Sequence, residues 1–179
     1  MGAGSADFDL SLAELRDVAA YAIACARPAL SVFAQARPDD PRPRSAIETA
    51  EAFADGGRRT KAMRDAAWAA QRAAQEARKA GQAAAGEAAR AALLTASAGY
   101  LHPLAEATQV EHILGPAART ARALELAAGD DPDVGDSHVI RAQALAGAVV
   151  LDVLRRYPTV PPGGGRVKAL LRALDAGLR

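Results

Sequence analysis

An all-α fold follows from three features of the sequence. Roughly a quarter of its 179 residues are alanine, only 4% are aromatic, and apolar side chains recur at helical spacing in almost every segment. Alanine has the best intrinsic helix propensity, whereas strands favour Val, Ile, Thr and aromatic residues. Its small side chain also lets helix axes approach to the lower end of the ~8 to 10 Å range. The expected architecture is an irregular bundle of about six to seven helices, some kinked at proline. A single helical domain over residues 11–179 is expected behind an N-terminal tail of residues 1–10, because chains divide into separate cores only well beyond roughly 250 residues.

Each element has its own signal. Ser11 and Glu14 stand at capping-box spacing and predict the start of a helix running to about Arg37, with Leu12, Leu15, Val18, Ala19, Ala22, Ile23 and Ala26 on one face. Pro28 removes an amide and crowds the preceding turn, which implies a kink or short break. Pro38, Pro41 and Pro43 make a rigid loop, since each pushes its predecessor away from the α region. A short helix is then predicted from Pro43 or Arg44, with Ile47, Ala50 and Phe53 inward, stopping at Gly56-Gly57. Thr60 caps a third helix that reaches about Ala80, with Met63, Ala67, Ala70, Ala74 and Ala77 on one face and Trp68 toward its edge. Gly81 and Gly86 weaken the pattern before a fourth helix that runs through Ala88, Leu93 and Leu94 to about Leu101.

Helical periodicity continues beyond Leu101 through Leu104, Ala107, Val110, Ile113 and Leu114. Pro103 therefore reads as a kink, and Gly115-Pro116 as a second break of the same kind. Gly129 to Gly135 reads as a loop, with Asp136 or Ser137 capping a helix that carries Ile140, Leu145, Val149, Leu151 and Leu154. Pro161 to Gly165 reads as a linker, and Val167, Leu170, Leu171 and Leu174 mark a final amphipathic helix.

The 22 basic and 21 acidic residues leave a formal net charge of +1, so no overall field gathers a polyanion. Nucleic acid and membrane surfaces are not expected partners. The single Cys25 lies in an apolar helical pattern as a small core residue and cannot form an intrachain disulfide, which suits a reducing cytoplasm. Residues Met1–Ala6 carry neither a basic n-region nor an apolar h-region, and no stretch reads as the ~18 uncharged apolar residues of a spanning helix.

Chemistry-bearing residues gather in two places. On a continuous helix His102, Glu106, Gln109 and His112 fall within about a third of the wheel, with Tyr100 beside them. Histidine can serve as acid, base or ligand near neutrality. Two readings stay open: a hydrogen-bonded seam that satisfies amides freed at Pro103, or a ligand pocket formed by these five residues. No catalytic residue is assigned. Three histidines and one distant cysteine do not supply a zinc set, and Asp131 to Asp136 lacks the bidentate glutamate that ends a calcium loop, Ala142 standing in that place. Gly163 to Gly165 lacks the strand and spacing of a phosphate cradle. No cofactor is implied. The second place is the basic cluster Arg58, Arg59, Lys61 with Arg64, joined by Arg44 as residues suited to an acidic partner. Basic charge at a helix N-terminus opposes the helix dipole, so this cluster carries a local conflict.

Leu15-Arg16, Ala24-Cys25-Ala26 and Phe33, then Asp40-Pro-Arg-Pro-Arg44 before Ala46-Ile47-Glu48, resemble the Imm-5-like immunity proteins of bacteria. Ala52-Phe53-Ala54, Ala80-Gly-Gln82, Tyr100-Leu-His-Pro103 and His112-Ile-Leu114 extend the likeness over most of the chain. The Asp152-to-Pro158 ending is similar to that of the longer actinobacterial members. The resemblance implies a non-enzymatic protein that binds and neutralises a bacterial toxin partner. From a different class comes a small-molecule binding or transforming protein, serving self-resistance or biosynthesis, with its pocket around Tyr100, His102, Gln109 and His112. Alanine-rich faces would also support a homodimer.

Overall fold

The capping box forms at the mouth of the first helix: Ser11 N–H donates to the Glu14 carboxylate at 2.7 Å, and Glu14 N–H donates to Ser11 Oγ at 3.2 Å. The computed structural model describes residues 8–179. Eight α-helices and two short 3-10 turns occur among them: α1 (Leu12–Ala36), α2 (Arg42–Ala54), α3 (Lys61–Lys79), α4 (Ala83–Ser97), α5 (Val110–Ala127), α6 (Pro132–Leu145), α7 (Ala148–Arg155) and α8 (Arg166–Leu178), with the turns at Ala98–Tyr100 and Ala107–Gln109. The all-α irregular bundle is as the sequence predicts, with slightly more helices.

α1 runs through the middle and belongs to two cores. Leu15, Val18, Tyr21 and Cys25 in its first half pack with α5, α6, α7 and α8. Ile23, Ala26, Val32 and Phe33 along its second half pack with α2, α3 and α4. At 25 residues α1 is also long and apolar enough to cross a membrane, which the sequence reading missed; here its apolar face is covered by the other helices. Phe8 and Leu10, assigned to the tail, pack against the first core, and Phe8 meets Tyr157 edge-to-face at 5.0 Å. The remainder of the expected tail, residues 1–7, lies outside the described residues.

The prolines depart from expectation. α1 continues through Pro28; the carbonyl that loses its partner there is that of Ala24, on the exposed side where water can serve it. α5 continues through Pro116, held by buried Ile113, Leu114, Ala117 and Ala118 on either side. Gly115 is no breaker either: a Cβ there would sit 2.7 Å from Leu94 Cδ1, so its absence lets α4 close onto α5. Pro103, by contrast, does end helical structure.

The loop assigned to Gly129–Gly135 is shorter than expected. Asp131, not Asp136 or Ser137, caps α6, accepting from Asp133 N–H at 3.0 Å, and Pro132 fills the first helical position, where its missing amide costs nothing. Gly135 lies inside α6 because a Cβ would overlap the Glu125 carboxylate. The helix predicted through Leu154 bends by 102° between α6 and α7. Its apolar stripe is accordingly split: Val139 and Ala142 are buried, whereas Ile140, Leu145 and Val149 are exposed.

Charged side chains tie the second half together. Glu125 is fully buried and accepts from Arg122 at 2.8 Å and from Arg166 Nε at 2.8 Å, joining α5 to α8, and Arg166 also reaches Asp136 of α6. Arg156 bonds Glu14, Asp152 and the Asp9 carbonyl, and its guanidinium pulls the Glu14 carboxyl down to about 2.

Candidate functional site: a basic and aromatic face on α3

Gly56, at φ 108°, lets the chain leave α2, and Arg16 of α1 donates to the carbonyls of Gly56 and Gly57 at 2.8 and 3.0 Å while lying 5.8 Å from the Phe53 ring centroid. That anchor fixes the loop from which Arg58 and Arg59 emerge. Thr60 then caps α3, accepting from Met63 N–H at 3.3 Å.

Tyr100, at the end of the first 3-10 turn, is brought against this corner by close backbone packing: a Cβ on the neighbouring Gly99 would meet the Phe53 ring at 3.0 Å. Its hydroxyl donates to the Thr60 carbonyl at 2.9 Å. The guanidinium groups of Arg59 and Arg64 lie 5.9 and 6.0 Å from its ring centroid. Both fall within cation–π range, so the aromatic ring offsets part of the conflict between these cations and the helix dipole. The two candidate clusters therefore meet at Tyr100.

Along α3, Lys61, Arg64, Asp65, Trp68 and Arg72 project from one face, since their spacing of three and four residues keeps them within about 100° of the wheel. Trp68 stands at its centre with 65% of its surface exposed. The sequence placed Trp68 only at the edge of the apolar stripe; its position outside the Met63–Ala67–Ala70 face is the signal for this exposure. Lys61 pairs with Asp65 at 2.6 Å, an exposed contact worth little. Arg58, Arg59, Arg64 and Arg72 make no hydrogen bond or ion pair among the described residues, so the face retains a positive excess. Arg44 does not join it. It sits in the first turn of α2, ten residues before that helix ends at Ala54, in a recess lined by Leu30, Pro38 and Asp39.

The predicted stripe of His102, Glu106, Gln109 and His112 does not form. Pro103 disfavours helical backbone at His102, and Leu101 already turns extended with ψ 129°. The segment 101–106 is irregular, and helical structure resumes only at the second turn and α5. Gln109 Oε1 accepts the His102 N–H at 3.1 Å, and the His102 carbonyl accepts the Tyr157 hydroxyl at 2.8 Å. The His102 and Glu106 side chains are exposed, while His112 is partly buried with Nδ1 unpartnered, its imidazole pushed below the usual range by burial. The segment from His102 to Gln109 is a loop pinned through the His102 backbone, and His112 Nδ1 is left without a partner beneath it. Among the described residues no three His, Cys, Asp or Glu side chains converge as metal ligands.

The fold and this corner together define a helical scaffold presenting a basic, aromatic surface. The chain belongs to the Imm-5 like putative immunity protein family, whose model matches residues 9–144. The match spans α1 to α5 and nearly all of α6; α7 and α8 lie beyond it. No curated protein and no solved structure matches the chain.

Proposed function

We propose that this chain is a non-enzymatic immunity protein of the bacterial cytoplasm that binds and neutralises a toxin partner through the outer face of α3. The carrying observation is Trp68, exposed among Arg64, Arg72 and the Tyr100–Arg59 corner. Trp, Tyr and Arg are the residues that dominate binding energy at protein interfaces, because they bury large areas and desolvate charge-assisted hydrogen bonds. A free monomer gains nothing from holding an indole in water. The positive excess selects an acidic surface on the partner, and family membership supplies the kind of partner.

The test is titration of the purified chain with the toxin encoded beside its gene. A stable complex is expected, weakened at least about tenfold by Trp68→Ala or by Arg59→Ala combined with Arg64→Ala, while Arg44→Ala changes affinity little. Absence of binding to that toxin, or binding indifferent to all three changes on α3 and its preceding loop, contradicts the proposal.

A further inference from the structure

We propose that the groove between α3, α4 and α5 is a binding site for a small organic anion that also carries a hydrogen-bond donor, of the class of hydroxycarboxylates and polyol phosphates. The groove holds about 440 Å³, within the range of small-molecule sites, and Gln71, Arg78, Glu87, Arg90 and Arg122 supply its polar lining. Gly86 lies in its floor against α3, where a Cβ would stand 3.5 Å from the Ala74 carbonyl oxygen and 3.7 Å from Arg78 Cβ.

The charges there do not balance. Glu87 is engaged by Arg119 at 2.8 Å, and Arg122 by Glu125 and Asp130 at 2.8 and 2.5 Å. Arg78, which is exposed, and Arg90 are left with no hydrogen bond or ion pair among the described residues; the carboxylates that favour the Arg90 charge, Glu87 and Glu111, are engaged by Arg119 and Lys168. Arg90 is partly buried, and its guanidinium is disfavoured first by desolvation and then by the neighbouring Arg119. A partly desolvated cation without an acceptor lowers stability, and such groups persist where a ligand supplies the counter-charge. The Gln71 side-chain oxygen lies buried beside them with no donor. An anionic oxygen pair satisfies the fork geometry of the arginines. A hydroxyl on the same ligand satisfies Gln71. The apolar part of the lining, from Ala74, Ala83 and Leu126, matches a carbon skeleton and disfavours a bare inorganic ion.

This site is adjacent to the Trp68 face on α3 but uses other residues, so each can fail without the other. The experiment is calorimetric and thermal titration of the full chain with citrate, glycerol 3-phosphate and inorganic phosphate, at constant ionic strength and with glycerol as the neutral control. Saturable binding of citrate or glycerol 3-phosphate, tighter than inorganic phosphate, is expected. Arg90→Met should raise the melting temperature of the free chain and weaken the preferred ligand about tenfold or more, and Arg78→Ala should weaken it in the same direction. Trp68→Ala should leave it unchanged. The proposal is overturned if no tested anion gives saturable binding, if inorganic phosphate binds as well as the organic anions, if binding survives Arg90→Met, or if that substitution lowers the stability of the free chain.

Discussion

Around the second half of α1, sixteen of the twenty buried core residues described are alanine, whereas around its first half seven of twenty-seven are. The alanine-rich half is held by close approach of helix surfaces, with little side-chain volume between α3 and α4. The other half is held by Leu, Val, Ile and Tyr side chains and by the buried Glu125 network. The difference sets where the molecule is vulnerable. One half cannot tolerate added volume, and the other cannot tolerate lost volume.

The largest effect should come from Leu174→Ala in α8, fully buried in the large-residue core, which is expected to cost about 4 kcal/mol in chemical denaturation through lost burial and a cavity. Glu125→Ala should follow at about 3 kcal/mol, because it removes the carboxylate that Arg122 and Arg166 share; Asp130 and Asp136 hold the value below that of a wholly orphaned pair. On the alanine side the direction reverses. Ala89→Leu, at a residue with no exposed surface, should cost about 2 kcal/mol by overpacking. If Ala89→Leu is neutral or stabilising in the same denaturation series, the close-packed description of that half is wrong.

A smaller effect follows from pH and falls on the large-residue half. Burial holds the His138 imidazole below its ordinary range, partly offset by a hydrogen bond to the Cys25 backbone, and burial does the same to His112. Above an unfolded value near 6.5 both states are neutral and the full stability is present. As pH falls below it, the unfolded chain takes up protons that the folded chain refuses, so stability declines toward the folded values by up to about 1.4 kcal/mol per pH unit for each histidine. Urea midpoints at pH 7 and pH 5 check this, and His138→Asn should flatten the difference relative to the parent at equal temperature. An equal decline in both proteins assigns the acid sensitivity elsewhere.

The local signals in the sequence held wherever a single side chain bonds its own backbone, as at Ser11, Glu14 and Thr60. The apolar faces of α1, α2 and α3 were equally legible, because one helical period decides them; Leu12, placed on the α1 face, is exposed because it stands in the first turn, beyond the packed helices. Proline was not. Its effect depends on who serves the freed carbonyl and what packs alongside, so Pro28 and Pro116 ride inside helices while Pro103 ends one. Glycine misled for a related reason: Gly115 and Gly135 answer to Leu94 and Glu125, residues distant in space until the chain folds. The site was half legible. Arg58, Arg59, Lys61 and Tyr100 were visible as residue types, but their convergence required the α2–α3 corner, and the His102–His112 stripe required a helix that Pro103 forbids. Arg78, Arg90 and Arg122 gave no pattern at all, since they come from three helices and share only a groove.

The alanine-rich half also carries the exposed indole of Trp68 and Arg64, Arg72, Arg78 and Arg90, unpaired among the described residues, while the half built from larger residues buries its Glu125 network. The proposed docking surface for the partner is the outer face of α3. Hydrogen exchange measured by mass spectrometry on the free chain and on its complex with the toxin tests this directly. Added protection over residues 58–72 and around Tyr100, with α6 to α8 unchanged, is the predicted result. Protection confined to α5 to α8, with residues 58–72 exchanging as in the free chain, contradicts it.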